Sequence, residues 1–129
     1  SLLKSYFSWS FDRVKYNAPG AEFLKNSKVQ GRIFNPYYMG GYLSYVLNPE
    51  CRMFIDGRFE HYSRKVNGDY YRILSGSQEF GSLIRDYDLD YLFIPHECDS
   101  EELDYALEKN SLRKIYEDQL TRIYKVKKT

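Results

Sequence analysis

Short apolar runs alternate with helical patterns along the chain, and this alternation predicts an α/β domain. Runs rich in Val, Ile, Leu and Phe predict three strands, at residues 29–35, 51–58 and 89–95. A helical segment at residues 40–47 joins the first two strands. Two strands joined by a helix form a βαβ unit, so we expect these strands to be parallel.

The rest of the chain predicts further helices and a terminal hairpin. The helices are expected at residues 17–26, 68–76, 77–87 and 99–110, with Asn17, Ser77 and Asp99 as N-caps. The alternation over residues 112–126 breaks at Glu117-Asp118-Gln119, which predicts an antiparallel hairpin at the edge of the sheet. The predicted fold is a small three-stranded parallel sheet with flanking helices and this C-terminal antiparallel hairpin.

The first 16 residues have a different character, because Tyr6, Phe7, Trp9 and Phe11 alternate only weakly with polar residues there. The pattern fits a strand or an aromatic linker that leaves a membrane interface, where Tyr and Trp concentrate. We assign residues 1–16 to such a linker and residues 17–129 to a single α/β domain. Because the chain lacks an initiator Met, we expect it to be a piece of a longer protein with segments upstream of Ser1.

Composition narrows the function classes. The 129 residues are 43% hydrophobic and 29% charged with a net charge of +1, which favours a globular domain and argues against nucleic-acid binding. The 14 tyrosines suit a half-buried core or a sugar-binding surface. No apolar run approaches the ~18–20 residues that span a bilayer. Cys51 and Cys98 have no metal-type spacing; one disulfide would be possible, but we expect free thiols.

Polar residues follow each predicted parallel strand. The carboxyl ends of such strands meet at one edge of the sheet, called the rim below, where ligands of open α/β sheets bind. Gly40-Gly41 begins a helix there, and its N–H groups favour an anion. An anion or sugar-phosphate pocket is therefore one reading of the rim. The candidate ligand-binding residues are Asn35, Tyr37, Gly40, Gly41, Tyr42, Asp56 and Arg58.

The same residues also have a purely structural reading. The glycines would let the helix pack on the sheet, and Asp56 would accept backbone hydrogen bonds while Arg58 neutralises it. Pro95, His96 and Glu97 follow the third strand on the same rim. Neither His61 nor His96 has a second ligand at a suitable spacing, so no metal site is predicted, and no nucleophile motif occurs.

Four segments between Pro19 and Tyr62 carry a resemblance: "APGAEFLKN", "GRIFN", "YYMGGYLSYVL" and "RMFIDGR". In this order they resemble the soluble C-terminal part of bacterial multi-pass membrane proteins. Those proteins are similar to polyprenyl-phosphate-sugar-dependent glycosyltransferases of the oligosaccharyltransferase and mannosyltransferase kind. The resemblance extends over residues 16–126, although the family often has Trp where this chain has Met39.

The resemblance implies a membrane-anchored accessory domain on the extracytoplasmic side. Its partners would be its own upstream transmembrane region and a saccharide or polyprenyl-phosphate sugar, which it would bind or position, or it would brace the membrane part. Catalysis and metal binding in such relatives reside in loops between membrane helices, so this domain is expected to need no cofactor and not to be catalytic alone. The alternatives are a stand-alone α/β hydrolase or nucleotide-binding enzyme that uses the same rim, and a pure interaction scaffold.

Overall fold

The computed structural model describes the backbone of residues 2–55 and 63–128, and within these ranges the side chains from Val14 onward. It confirms the α/β class. The helices are α1 Leu2–Asn26, α2 Gly40–Leu47, α3 Arg64–Leu74, α4 Phe80–Asp86 and α5 Glu101–Lys109, and the strands are β1 Gly31–Phe34, β2 Cys51–Met53, β3 Tyr91–Pro95, β4 Arg113–Glu117 and β5 Thr121–Lys125. Short 3-10 turns, Tyr37–Met39 and His96–Cys98, follow β1 and β3.

The five strands form one mixed sheet in the order β2-β1-β3-β5-β4. β1 is parallel to both β2 and β3, as the βαβ pattern predicted. The terminal hairpin is also present, but β5 pairs antiparallel with β3 over its whole length. The predicted three-stranded sheet with an added hairpin is therefore only partly right, because the hairpin continues the sheet and supplies two of its five strands.

The helices cover both faces of the sheet. α1 and α2 pack on one face, where Leu24, Ile33 and Phe93 are fully buried. α3, α4 and α5 pack on the other, around Phe34 and Leu92. Alternate strand residues thus enter opposite layers, as the twofold period of a strand requires.

Cys51 is buried and Cys98 is half-buried, and both are free thiols.

The sequence misplaced the start of α1. Residues 2–16 belong to the same helix as residues 17–26, so the strand reading is wrong and Asn17 is not a cap. Pro19 lies inside this helix, where it removes one backbone hydrogen bond. Both Pro19 and Lys15, whose carbonyl loses that bond, are exposed, so water can satisfy the carbonyl. Whether residues 1–16 act as a linker stays a prediction.

Two other caps were also misassigned. α4 begins at Phe80, after Glu79, so Ser77 does not cap it. α5 is capped by Ser100, whose Oγ accepts a hydrogen bond of 3.0 Å from the N–H of Leu103. Asp99, the predicted cap, instead contacts side chains at the rim, as described below.

Candidate functional site

The rim is built by two matching chain reversals. Pro36 and Pro95 end their strands with the same backbone angles, φ −66° and ψ 145°, and a 3-10 turn follows each. The two turns approach each other, since Tyr38 Oη lies 3.4 Å from Glu97 Oε1. Residues that are 59 positions apart in the sequence are thus neighbours, as expected for parallel strands.

A cavity of about 240 Å³ opens at this rim, between α1, the two 3-10 turns and the tip of the β4–β5 hairpin. Its lining residues are Tyr16, Asn17, Tyr38, Pro95, His96, Glu97 and Leu120. Tyr16 is 62% exposed and Leu120 44% exposed, so apolar surface borders the opening. The volume is below the ~300–1,000 Å³ of pockets for drug-sized ligands, and it suits one small ring.

Asn17 fixes the inner wall of this rim cavity. Its side chain is only 5% exposed, and its Nδ2 donates to Thr121 Oγ1 at 2.7 Å. Its Oδ1 accepts a 3.0 Å hydrogen bond from the hydroxyl of Tyr38. One amide therefore connects α1, β5 and the turn after β1. Sequence reasoning missed this role, although Asn inside a long helix is unfavourable and could have indicated a tertiary partner.

His96 occupies the opposite side of the cavity and is held at both ring nitrogens. Nδ1 lies 2.7 Å from Asp99 Oδ2, and Nε2 lies 3.1 Å from Glu117 Oε2 and 3.0 Å from the carbonyl oxygen of Asp118. The imidazole thus links the turn after β3 to the hairpin tip, and its orientation is set before any ligand arrives.

Charges around His96 form a connected chain. A hydrogen bond from Lys114 lowers the pKa of Glu117. Asp99 also lies 2.8 Å from Nη2 of Arg122, a side chain that is 8% exposed. Nη1 of Arg122 donates to Asp104 at 2.9 Å. The network fastens the start of α5 to β5, which makes Asp99 and Arg122 structural parts of the rim.

Asn35, a predicted ligand residue, is a structural clamp. It is fully buried, and its Nδ2 donates to the carbonyl of Ile55 at 2.6 Å while its Oδ1 accepts from the N–H of Ile55 at 3.2 Å. A further 3.0 Å bond reaches the carbonyl of Pro36. The two bonds to Ile55 join the end of β1 to the chain after β2, and the buried side chain presents nothing to solvent.

The other predicted residues that the structure describes do not form a single surface. Tyr37 packs against the layer that contains α3, and Tyr42 packs against the layer that contains α1, so their rings lie on different faces of the sheet. Gly40 is buried at the start of α2. Gly41 is exposed, and a Cβ added there would meet nothing within 4 Å, so packing among the described residues does not require this glycine.

Three sequence-predicted residues cannot be placed on this map. Asp56, Arg58 and His61 lie outside the described residues. Within the described ranges, no group of His, Cys, Asp and Glu side chains is arranged to hold a metal ion. Among the described residues, the rim cavity is therefore lined by tyrosine, amide, imidazole and carboxylate groups, together with Pro95 and Leu120.

Comparison with protein-family models, with curated proteins and with solved structures finds no match to this chain. Among the described helices, none combines the length and the apolar character needed to cross a membrane.

Proposed function

We propose that this chain is an extracytoplasmic accessory domain of a multi-pass, glycosyltransferase-like membrane protein, in which it positions a saccharide at the rim cavity. The observation that supports the proposal is the cavity itself, where the rings of Tyr16 and Tyr38 meet the polar groups of Asn17, His96 and Glu97. Aromatic faces pack against the C–H faces of sugars, and the polar groups exchange hydrogen bonds with hydroxyls.

The charges favour a neutral sugar ring at this position. Glu97 lines the cavity, and the carboxylates of Asp99 and Glu117 contact His96 behind it. Because like charges repel, this acidic surrounding disfavours a phosphate in the cavity. In our proposal, the phosphate of a lipid-linked sugar would be bound outside the cavity. Arg58, which the sequence predicts as a ligand-binding residue, is the candidate to bind it.

The course of α1 supports an upstream anchor. Asn17 contacts β5 at the rim, and Gly20 lies against Phe93. The helix ends before β1, at the ends of the parallel strands opposite the rim. Followed from its C-terminus to its N-terminus, α1 therefore runs from the far ends of the strands towards the rim. An anchor upstream would then bring the rim towards the membrane, where a lipid-linked sugar is presented, and α1 would also brace the domain.

The experiment is a ¹H–¹⁵N NMR titration of the 129-residue chain with neutral mono- and disaccharides. We expect shifts at the amides of residues 96–97 and 120–121, and Tyr16→Ala should weaken binding several-fold, because stacking of aromatic rings contributes about 0.5–1.5 kcal/mol. Tyr45→Ala is the matched control, since Tyr45 is 85% exposed on α2 and lies outside the cavity lining. Equal affinity of the two variants, or no shift at the rim, would refute the site.

A further inference from the structure

A second cavity, of about 560 Å³, lies between the loop after α3, helix α4 and helix α5, which we call the α4–α5 groove. Its lining residues are Gly76, Ser77, Gln78, Phe80, Gly81, Ser82, Arg85, Tyr105, Ala106, Lys109 and Asn110. Its volume lies within the ~300–1,000 Å³ range of small-molecule pockets. The groove is on the helical layer opposite α1, so it is separate from the rim cavity.

The groove has a cationic lining without acidic compensation. Arg85 on α4 and Lys109 on α5 both line it, and no Asp or Glu does so among the described residues. Neither cation forms an ion pair with a described residue, whereas Lys65, Arg72 and Arg122 all pair with carboxylates. Two unpaired cations across one groove attract an anionic group more strongly than either would alone.

Neutral groups beside the cations match the rest of a sugar. Tyr105 is 66% exposed at the groove, and Lys109 Nζ lies 5.8 Å from the centre of its ring. The side-chain amides of Gln78 and Asn110 add hydrogen-bonding capacity. Ser77 Oγ is buried and makes no hydrogen bond to the described residues, so rotating it towards the groove breaks none.

Gly81 keeps the floor of the groove open. A Cβ at this position would lie 2.3 Å from Asn110 Oδ1 and 3.6 Å from Arg85 Nη1. The amide and the guanidinium thus approach the same point of the α4 backbone from different helices. The absence of a side chain at residue 81 lets both polar groups reach the groove.

We propose that the α4–α5 groove binds an anionic sugar unit, with Arg85 and Lys109 on its carboxylate or phosphate and Tyr105 against its ring. A uronic acid and a sugar phosphate share this chemistry. The groove differs from the rim cavity both in location and in its preference for a charged ligand. Either proposed site can therefore be refuted without affecting the other.

The test is an NMR titration of the 129-residue chain with glucuronate, glucose 1-phosphate, inorganic phosphate and glucose. We expect amide shifts at residues 76–82 and 105–110 with at least one of the two anionic sugars. The sugar that binds more tightly shows whether the groove prefers a carboxylate or a phosphate. Inorganic phosphate should bind more weakly than that sugar, and glucose should cause no shift there. The double variant Arg85→Gln, Lys109→Gln should bind the anionic sugar at least about tenfold more weakly, a change of about 1.4 kcal/mol.

Lys25→Gln is the matched control, because Lys25 also lies in the last turn of a helix but is remote from the groove. Lys25→Gln removes one positive charge near a helix C-terminus, whereas the double variant removes two, and it should keep the wild-type affinity for the anionic sugar. The proposal is overturned if glucose binds as tightly as the anionic sugars, if inorganic phosphate binds as tightly as they do, if the double variant binds like the Lys25 control, or if no ligand shifts the groove amides.

Discussion

Replacing Asn35 by Ala distinguishes a structural clamp from a ligand-binding side chain at the rim. The substitution removes three hydrogen bonds, two of them to the backbone of Ile55 and one to the carbonyl of Pro36. At about 0.5–1.5 kcal/mol each, they amount to about 1.5–4.5 kcal/mol. Because Asn35 is fully buried, water does not readily replace them. We therefore expect the free energy of unfolding to fall by about 3 kcal/mol.

Urea denaturation followed by circular dichroism measures this loss. With an m value of about 1.5 kcal/mol/M, the midpoint should fall by about 2 M. Asn26→Ala serves as the control, since Asn26 is exposed at the end of α1, and it should change stability by less than about 0.5 kcal/mol. An Asn35→Ala protein with the wild-type midpoint but no saccharide binding would refute the clamp and restore Asn35 as a ligand residue.

Two further predictions concern glycines and pH. In urea denaturation, Gly31→Ala should lower the free energy of unfolding by at least about 2 kcal/mol, because φ is +117° and the new Cβ would lie 2.1 Å from Asp90 Oδ2. Gly41→Ala should leave the free energy of unfolding unchanged or raise it by up to about 1 kcal/mol. A Gly41→Ala protein less stable than the Gly31→Ala protein would contradict the packing described above. Asp118 is partly buried, which raises its pKa, but hydrogen bonds from Tyr116 and two backbone N–H groups outweigh this and lower it overall. The ionised carboxylate thus stabilises the fold above the unfolded pKa of about 3.9, and this stabilisation is lost as the pH falls through the lower pKa of the folded state. Asp118→Asn should therefore be less stable than wild type at pH 7, and the difference in stability should shrink towards pH 2. A difference in stability that does not change with pH would exclude the carboxylate as the cause.

Local patterns predicted the elements of the sheet well. The break at Glu117-Asp118-Gln119 placed the hairpin correctly, and the Gly-Gly pair marked the start of α2. Both features depend on residues that are adjacent in the sequence. The helix at residues 17–26 was predicted, but the part of α1 before Asn17 was missed, because its Tyr, Phe and Trp residues obscure the helical period and because Pro19 is unusual inside a helix.

The site was harder to predict, because its hydrogen bonds connect distant parts of the chain. Asn17 and Thr121 are 104 positions apart, and His96 meets the hairpin tip 22 positions later. No sequence pattern reports such pairs. A polar residue after a strand can face solvent or fasten a neighbouring strand, and Asn35 does the second. The sequence shows that Asn35 follows the first strand, but the direction of its side chain is decided by tertiary packing.

The rim cavity depends on how α1 is seated on the sheet. Asn17 bonds both Thr121 on β5 and the hydroxyl of Tyr38, so a shift of α1 along the sheet would break two hydrogen bonds that shape the cavity wall. Gly20 allows this close seating, since a Cβ there would lie 3.0 Å from the ring of Phe93 and 3.1 Å from Thr121. Leu24 of α1 is part of the core on one face of the sheet, while Tyr16 and Asn17 of the same helix line the rim cavity. The geometry of the cavity is therefore tied to the position of that helix.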